Sequence, residues 1–204
     1  MNQNSPIIIG GVGGSGTRLI AEILMDLGYH LGPELNESMD NIWFSLLFKR
    51  IEVFNLSDQE FEESLNILIT ALSEKGRLSP SQIEMVKRIS ELKRNYANKN
   101  KFKLWADSLI GNVNKTPHQK WGWKEPNSHI ILEKLRKFMP QMKYIHVIRN
   151  GLDMAFSENQ NQLQLWGSHF LKEGFEINPK TSLKLWCIIH KKLLKINQAM
   201  KKDF

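Results

Sequence analysis
The apolar positions of this chain change period several times, and the changes mark its elements. Ile7-Ile8-Ile9 is a run of β-branched residues that predicts a short buried strand. Five glycines follow between Gly10 and Gly16, and from Thr17 the residues Leu19, Ile20, Ile23, Leu24 and Leu27 recur at helical spacing. The opening unit is therefore strand, glycine loop, helix. Gly28 to Gly32 reads as a helix stop with a short extended piece, and Pro33 to Asp40 as a polar turn. Ile42, Trp43, Leu46, Leu47, Phe48 and Ile51 predict a helix from Asn41 to Phe54 that packs on the core. Ser57-Asp-Gln-Glu60 is a capping box opening a helix to about Ser73, with Lys75-Gly76 as its stop. Ser79-Pro80 opens another, to about Tyr96, with proline at the first helical position. Residues 41–115 thus read as a helical insertion, and they hold no chemical motif.

The pattern then changes. Trp121 to Lys124 reads as extended, Pro126 disfavours helix at Glu125, and Asn127 or Ser128 is placed to cap a helix from Ile130 to Phe138 that Pro140 stops. Lys143 to Ile148 is a β-branched strand ending at Arg149. Asn150 caps the next helix, with Asp153 reaching back. That helix is predicted to run through Ser157 to about Leu165 before a break at Trp166-Gly167. A last helix starts after Asn178-Pro179 and runs to about Met200. Strands interleaved with helices describe an open parallel α/β sheet, whose ligands bind at the carboxyl ends of the strands. The glycine loop and Arg149 both lie at such ends.

Composition narrows the classes. The chain has 204 residues, 41% of them hydrophobic and 24% charged, as in an ordinary globular domain. It holds no apolar run of membrane-spanning length, and Met1 to Ser5 carry no signal-peptide pattern. Cys187 is the only cysteine, which favours a reducing cytoplasm. The net charge of +7 points to an anionic ligand or surface, although Lys180, Lys184, Lys191, Lys192, Lys195, Lys201 and Lys202 in the last helix read as a solvated face. There is no aromatic-interleaved basic patch and no zinc-finger spacing, so neither a nucleic acid nor a metal is expected.

A strand, a glycine loop and a helix start form a phosphate trap, because backbone N–H groups and the helix dipole converge on an anion. Ser15 and Thr17 add hydroxyls, and Arg18 adds a charge at the mouth. Gly11 to Gly16 has the first spacing of a Walker loop, but Thr17 stands where its lysine belongs. Gly11, Gly13 and Gly16 also satisfy the dinucleotide pattern, with Glu34 near the position of a ribose-binding acid. Arg149 and Ser157 stand at a strand end and in the following helix, so a guanidinium fork and a hydroxyl can meet on one phosphate.

Together these pieces resemble the sulfotransferase superfamily, which uses 3′-phosphoadenosine 5′-phosphosulfate. Gly13-Gly14-Ser15-Gly16-Thr17-Arg18 is similar to its 5′-phosphosulfate loop, and Arg149 with Ser157 to its arginine and serine on the 3′-phosphate. The stretch Gly10 to Leu19 looks most like the loop of tyrosylprotein sulfotransferases, and Trp123-Lys124-Glu125-Pro126 resembles that branch's Lys-Asp-Pro segment. The resemblance implies one three-layer α/β domain with a central parallel sheet, a P-loop-like sulfotransferase fold interrupted by the helical insertion. It implies a nucleotide cosubstrate and a hydroxyl acceptor on a sugar, peptide or small metabolite. Gly13, Gly14, Ser15, Gly16 and Thr17 would hold the donor's 5′ end. Lys124 and Arg18 would stabilise charge on the transferring group, and Glu34 would take the acceptor's proton, with Glu37, Asp40, His118, His129 and His146 as rivals. One of Trp121, Trp123 and Trp166 is a candidate to stack on the adenine, with burial in the core as the favoured alternative for all three. Gly14 occupies a position where the family usually has a lysine or arginine, and the C-terminal strand of the usual domain is expected to be absent. A kinase with a degenerate phosphate loop, a non-catalytic nucleotide-binding module and a dinucleotide oxidoreductase remain the rival readings.

Overall fold
The computed structural model describes residues 5–73, 77–94, 96–112, 118–171 and 174–200. The expected helix stop at Lys75-Gly76 lies outside them. The elements run β1 (Ile7–Gly11), α1 (Thr17–Asp26), α2 (Ile42–Phe48), α3 (Asp58–Ser73), α4 (Pro80–Ser90), α5 (Lys99–Gly111), β2 (Gly122–Lys124), α6 (Leu132–Phe138), β3 (Lys143–Val147), α7 (Gly151–Ala155), α8 (Asn161–Phe170) and α9 (Pro179–Met200). Two short 3-10 helices, Ile51–Asn55 and Pro126–Ile131, fill gaps between them.

The three strands form one parallel sheet in the order β2-β1-β3. Ile9 lies opposite Lys124 on one side and Ile145 on the other. β1 is central because its side chains serve two cores. Ile8 enters a large cluster with Trp43, Phe44, Leu47, Trp123 and Trp166, contributed mainly by the helices of the insertion and by α8. Ile7 and Ile9 face the other way, onto Ala21 and Leu24 of α1 and Leu31. Helices on both faces of a parallel sheet give the three-layer α/β architecture. Trp121, Trp123 and Trp166 are all buried. Gly122 must be glycine, since a Cβ there would stand 1.7 Å from the Ile7 carbonyl oxygen. β3 is an edge strand among those described, and Ile148, Leu152 and Phe156 just beyond it are exposed. No helix among the described residues is long and apolar enough to cross a membrane.

Several local expectations are corrected. On α1 the buried face is Thr17, Ala21 and Leu24, while Leu19, Ile23 and Leu27 are exposed. The small Ala21 lets the helix approach β1, which sets the face. The helix expected over 41–54 stops at Phe48, where Arg50 Nε donates to the Leu47 carbonyl at 2.9 Å. The helix expected to reach Tyr96 stops at Ser90, where Arg94 Nη2 donates to the Ile89 carbonyl at 2.9 Å. A separate helix, α5, then starts under an Asn98 cap. Glu125 rather than Asn127 or Ser128 caps the 3-10 turn after β2, accepting from Asn127 N at 2.6 Å. The Ser128 hydroxyl accepts from Trp123 Nε1 instead. The helix expected over 150–165 is two helices. The Gln160 side-chain amide donates to the Met154, Ala155 and Ser157 carbonyls and so closes the C-terminal end of α7. Trp166-Gly167 is no break but part of α8, pinned by Trp166 Nε1 donating to Asn127 Oδ1 at 2.7 Å. Asp153 sits beside Arg149 Nε at 3.8 Å and does not cap.

Candidate functional site
The carboxyl end of β1 runs straight into the glycine loop. Ser15 N donates to the Val12 carbonyl at 3.0 Å and closes the turn. Gly14 and Gly16 have φ of 90° and 95°, a left-handed conformation that L side chains resist. Gly16 is the N-cap of α1 and supplies no side-chain cap. The first-turn N–H groups of a helix have no partner within it, so an uncapped start at a loop is a built-in anion seat. The Ser15 hydroxyl is buried with no hydrogen-bond partner, and Thr17 is buried beside it.

The second part of the site comes from the end of β2. Lys124 is 2% exposed. Its Nζ donates to the Ser38 carbonyl at 2.7 Å and to the Asp40 carboxylate. Asn41 N donates to the Lys124 carbonyl at 2.8 Å, so the turn before α2 is tied to this strand end at two levels. A cleft of 620 Å³ opens between the two parts. Gly13, Gly14, Gly16, Thr17, Arg18 and Lys124 line it, together with Asp40, Lys49, Asn127 and Gln162.

Arg149 follows β3 and joins the loop from outside, with Nη1 donating to the Gly14 carbonyl at 3.4 Å. Ser157, half-buried, accepts from Asn159 N at 3.2 Å through its hydroxyl oxygen. No hydrogen bond joins Arg149 to Ser157 among the described residues, and neither lines the 620 Å³ cleft. Glu34 and Glu37 line a different cavity, of 610 Å³, whereas Asp40 borders the cleft itself. Of the histidines, His118 stacks on His30 at 3.7 Å, and His30 bridges to Trp121 at the amino ends of the strands, away from the cleft. His146 lies against His190 and Tyr144, and His129 is buried with Nδ1 2.7 Å from the Pro126 carbonyl.

A model of the sulfotransferase family matches residues 6–203, nearly the whole chain. The chain belongs to that family. No curated protein and no solved structure matches it. Family membership makes sulfuryl transfer the general chemistry against which this sulfotransferase site is read.

Sequence reasoning missed a polar network behind the cleft. Glu125, fully buried, accepts from Asn127 N and Nδ2 at 2.6 and 2.7 Å and pairs with Lys49 at 3.5 Å. Burial pushes the Glu125 carboxyl above its usual range, with Lys49 pulling the other way. Lys49 itself is held above its usual range: burial works against the charge, but Glu125 and Asp40 outweigh it. Asn127 Oδ1 accepts from both Gln162 and Trp166 at 2.7 Å, tying α8 to the end of β2. The only signal for this network was the Glu125-Pro-Asn127 sequence after Lys124.

His129 offers a test of the packing beneath the site. Burial pushes its imidazole down to about 4, with the Pro126 carbonyl acting in the opposite direction. The folded state therefore holds fewer protons than the unfolded one from about pH 6.5 downwards. Its contribution is complete above that pH and is lost as the pH falls towards 4. Between pH 6.5 and 5.5 this one group should lower stability by about 1 kcal/mol. Urea unfolding of the protein and of His129→Gln at both pH values reads it, and the variant should show the shallower loss.

Proposed function
We propose that this chain transfers a sulfuryl group from 3′-phosphoadenosine 5′-phosphosulfate to an acceptor hydroxyl. The reading is carried by one juxtaposition: an uncapped glycine-loop helix start and the buried ammonium of Lys124 open on the same cleft. The Ser15 hydroxyl is buried on the Gly11 side of the loop and does not line the cleft, so the helix start itself is the part that meets an anionic group. In this reading Gly13, Gly14, Ser15, Gly16 and Thr17 hold the donor's 5′ end. Arg149 keeps most of its donors free and presents a fork to the 3′-phosphate, while the Ser157 hydroxyl, which accepts from Asn159, still has a proton to donate. The bound donor supplies an SO₃ group: its S–O bond to the 5′-phosphate breaks as a bond to the acceptor oxygen forms, and the electron pair stays on the phosphate.

Lys124 and Arg18 meet the negative charge that develops on that phosphate oxygen. Sulfuryl transfer resembles phosphoryl transfer in depending mainly on positioning and positive charge. The acceptor's proton needs a base. Asp40 fits this role better than Glu34, because it borders the cleft whereas Glu34 lines a separate cavity; its carboxylate is paired with Lys124, so the proton transfer needs that pair to loosen. A reducing cytoplasm suits a chain whose one cysteine, Cys187, forms no internal disulfide.

Calorimetric titration with adenosine 3′,5′-bisphosphate, with ATP and NAD as controls, tests the donor assignment. The bisphosphate is expected to bind at least about tenfold more tightly than either control, a difference of about 1.4 kcal/mol. Preferential binding of ATP would make the site a kinase-type phosphate loop. Absence of bisphosphate binding would overturn the reading.

A further inference from the structure
A second cavity, of 720 Å³, adjoins the donor cleft and shares Ser38, Asp40, Lys49, Asn161 and Leu165 with it. Its far wall belongs to the helical insertion, and its charge is lopsided. Lys49, Arg50, Lys93, Arg94 and Lys101 line it, against the carboxylates of Asp40 and Glu52. Asp40 is committed to Lys124 and Lys49 to Glu125. Neither arginine has a carboxylate within 4 Å among the described residues.

Those arginines are not loose surface chains. Arg50 is 7% exposed, and its Nε is held by the Leu47 carbonyl. Arg94 donates to the Ser45 carbonyl at 3.4 Å, to the Tyr96 hydroxyl at 3.3 Å and to the Ile89 carbonyl at 2.9 Å. Its guanidinium lies 4.5 Å from the centre of the Phe102 ring, and its Nε is buried without a partner. Burial, and after it the charge of Arg94, pulls the Arg50 guanidinium down to about 10. Carbonyls and the Phe102 ring orient these cations, while Glu52 and Glu60 act on Arg50 only from beyond pairing distance, so no carboxylate is paired with either guanidinium among the described residues. Two neighbouring like charges, one buried and one half-buried, with no paired carboxylate are costly to hold, and an incoming anion would relieve that cost.

We infer that this cavity receives the acceptor, and that the acceptor carries a carboxylate or sulfate group near the hydroxyl it presents to Lys124 and Asp40. Arg94, with Arg50 behind it, fixes the anionic group through directed N–H donors. Lys93 and Lys101, both exposed at the rim, draw it in. Trp105 supplies a flat apolar wall beside Lys101, whose Nζ lies 5.4 Å from the centre of its ring. This inference rests on the sulfuryl-transfer reading for the identity of the neighbouring cleft, but the charge of the cavity is independent of it.

The test uses matched pairs of probes: methyl β-D-glucuronide against methyl β-D-glucoside, and 4-hydroxyphenylacetate against 2-(4-hydroxyphenyl)ethanol. Each is titrated calorimetrically into the full chain with adenosine 3′,5′-bisphosphate present to fill the phosphate loop. At least one acid is expected to bind about tenfold or more tightly than its neutral partner. Which pair shows the preference tells whether a sugar or a phenol ring is accepted. Arg94→Gln and Lys101→Glu should each abolish the preference, whereas Lys180→Glu on the exposed face of α9 should leave it intact. Lys101 is exposed, so its substitution keeps the test open if Arg94→Gln fails to fold. Equal binding of acid and neutral partner in both pairs, or a preference that survives Lys101→Glu, overturns the inference. If the bisphosphate itself does not bind, the donor reading falls, and the acid preference measured without it still decides this one.

Discussion

Lys124→Ala is expected to lower the rate of sulfuryl transfer by about 10²–10³-fold, the loss typical of removing one donor aimed at developing negative charge. The expectation rests on position. Lys124 ends β2 beside β1, is nearly inaccessible to water, and is oriented by the Ser38 carbonyl and the Asp40 carboxylate. A charge held this firmly needs little reorganisation when the leaving oxygen gains its electron pair. Affinity for adenosine 3′,5′-bisphosphate should fall far less, because the loop and Arg149 still hold the phosphates. Single-turnover rates with the acceptor saturating, set beside calorimetric affinities, separate the two effects. A turnover equal to that of the parent would make Lys124 a structural partner of Asp40 and nothing more.

Arg149→Ala should weaken binding of adenosine 3′,5′-bisphosphate by about 10–100-fold, the cost of losing charge-assisted hydrogen bonds to one phosphate. Binding of adenosine 5′-phosphosulfate, which lacks the 3′-phosphate, should change little. Arg149 makes a single 3.4 Å hydrogen bond to the Gly14 carbonyl and a long contact with Asp153, with half of its side chain in solvent, so its remaining donors are available. Equal losses for both nucleotides would mean that Arg149 only braces the glycine loop.

The parts of this architecture that were readable in the sequence are those fixed by short-range rules. A β-branched run into glycines into a helical period can form little else, and β1, the loop and α1 follow from it. Lys124 and Arg149 at strand ends were legible for the same reason, since strands this short are bounded by their own residue types. The misread stretches are those where a side chain from elsewhere in the chain decides. Gln160 ends α7 by collecting three carbonyls, and the Asn127 bond to Trp166 keeps α8 continuous through a residue pair that looked like a break. The turn before α2 is the most instructive case. Asn36 Oδ1 accepts from both Ser38 N and Asp40 N at 2.9 Å, and Met39 takes φ of 62°. This folding brings Asp40 to the cleft and leaves Glu34 on another cavity. Spacing along the chain could not separate the two acids, because the choice depends on how this turn folds, through the Asn36 side chain, the left-handed Met39 and the tie of Asn41 to Lys124. The cationic lining of the second cavity was invisible too, since Arg50 and Arg94 come from separate helix ends that meet only after packing.

The edge position of β3 also bears on how this protein behaves in quantity. Its outer row of backbone donors and acceptors faces no described strand, and exposed Ile148, Leu152 and Phe156 continue an apolar strip away from its end. Such an edge is a template for a strand from another molecule, and charged residues are the usual guard against it. Here Lys143 is the only charged side chain within the strand, so crowding is resisted chiefly by long-range repulsion from the net charge of +7. Salt screens that repulsion, so self-association of this chain is expected to rise with ionic strength, which light scattering across a salt series would read.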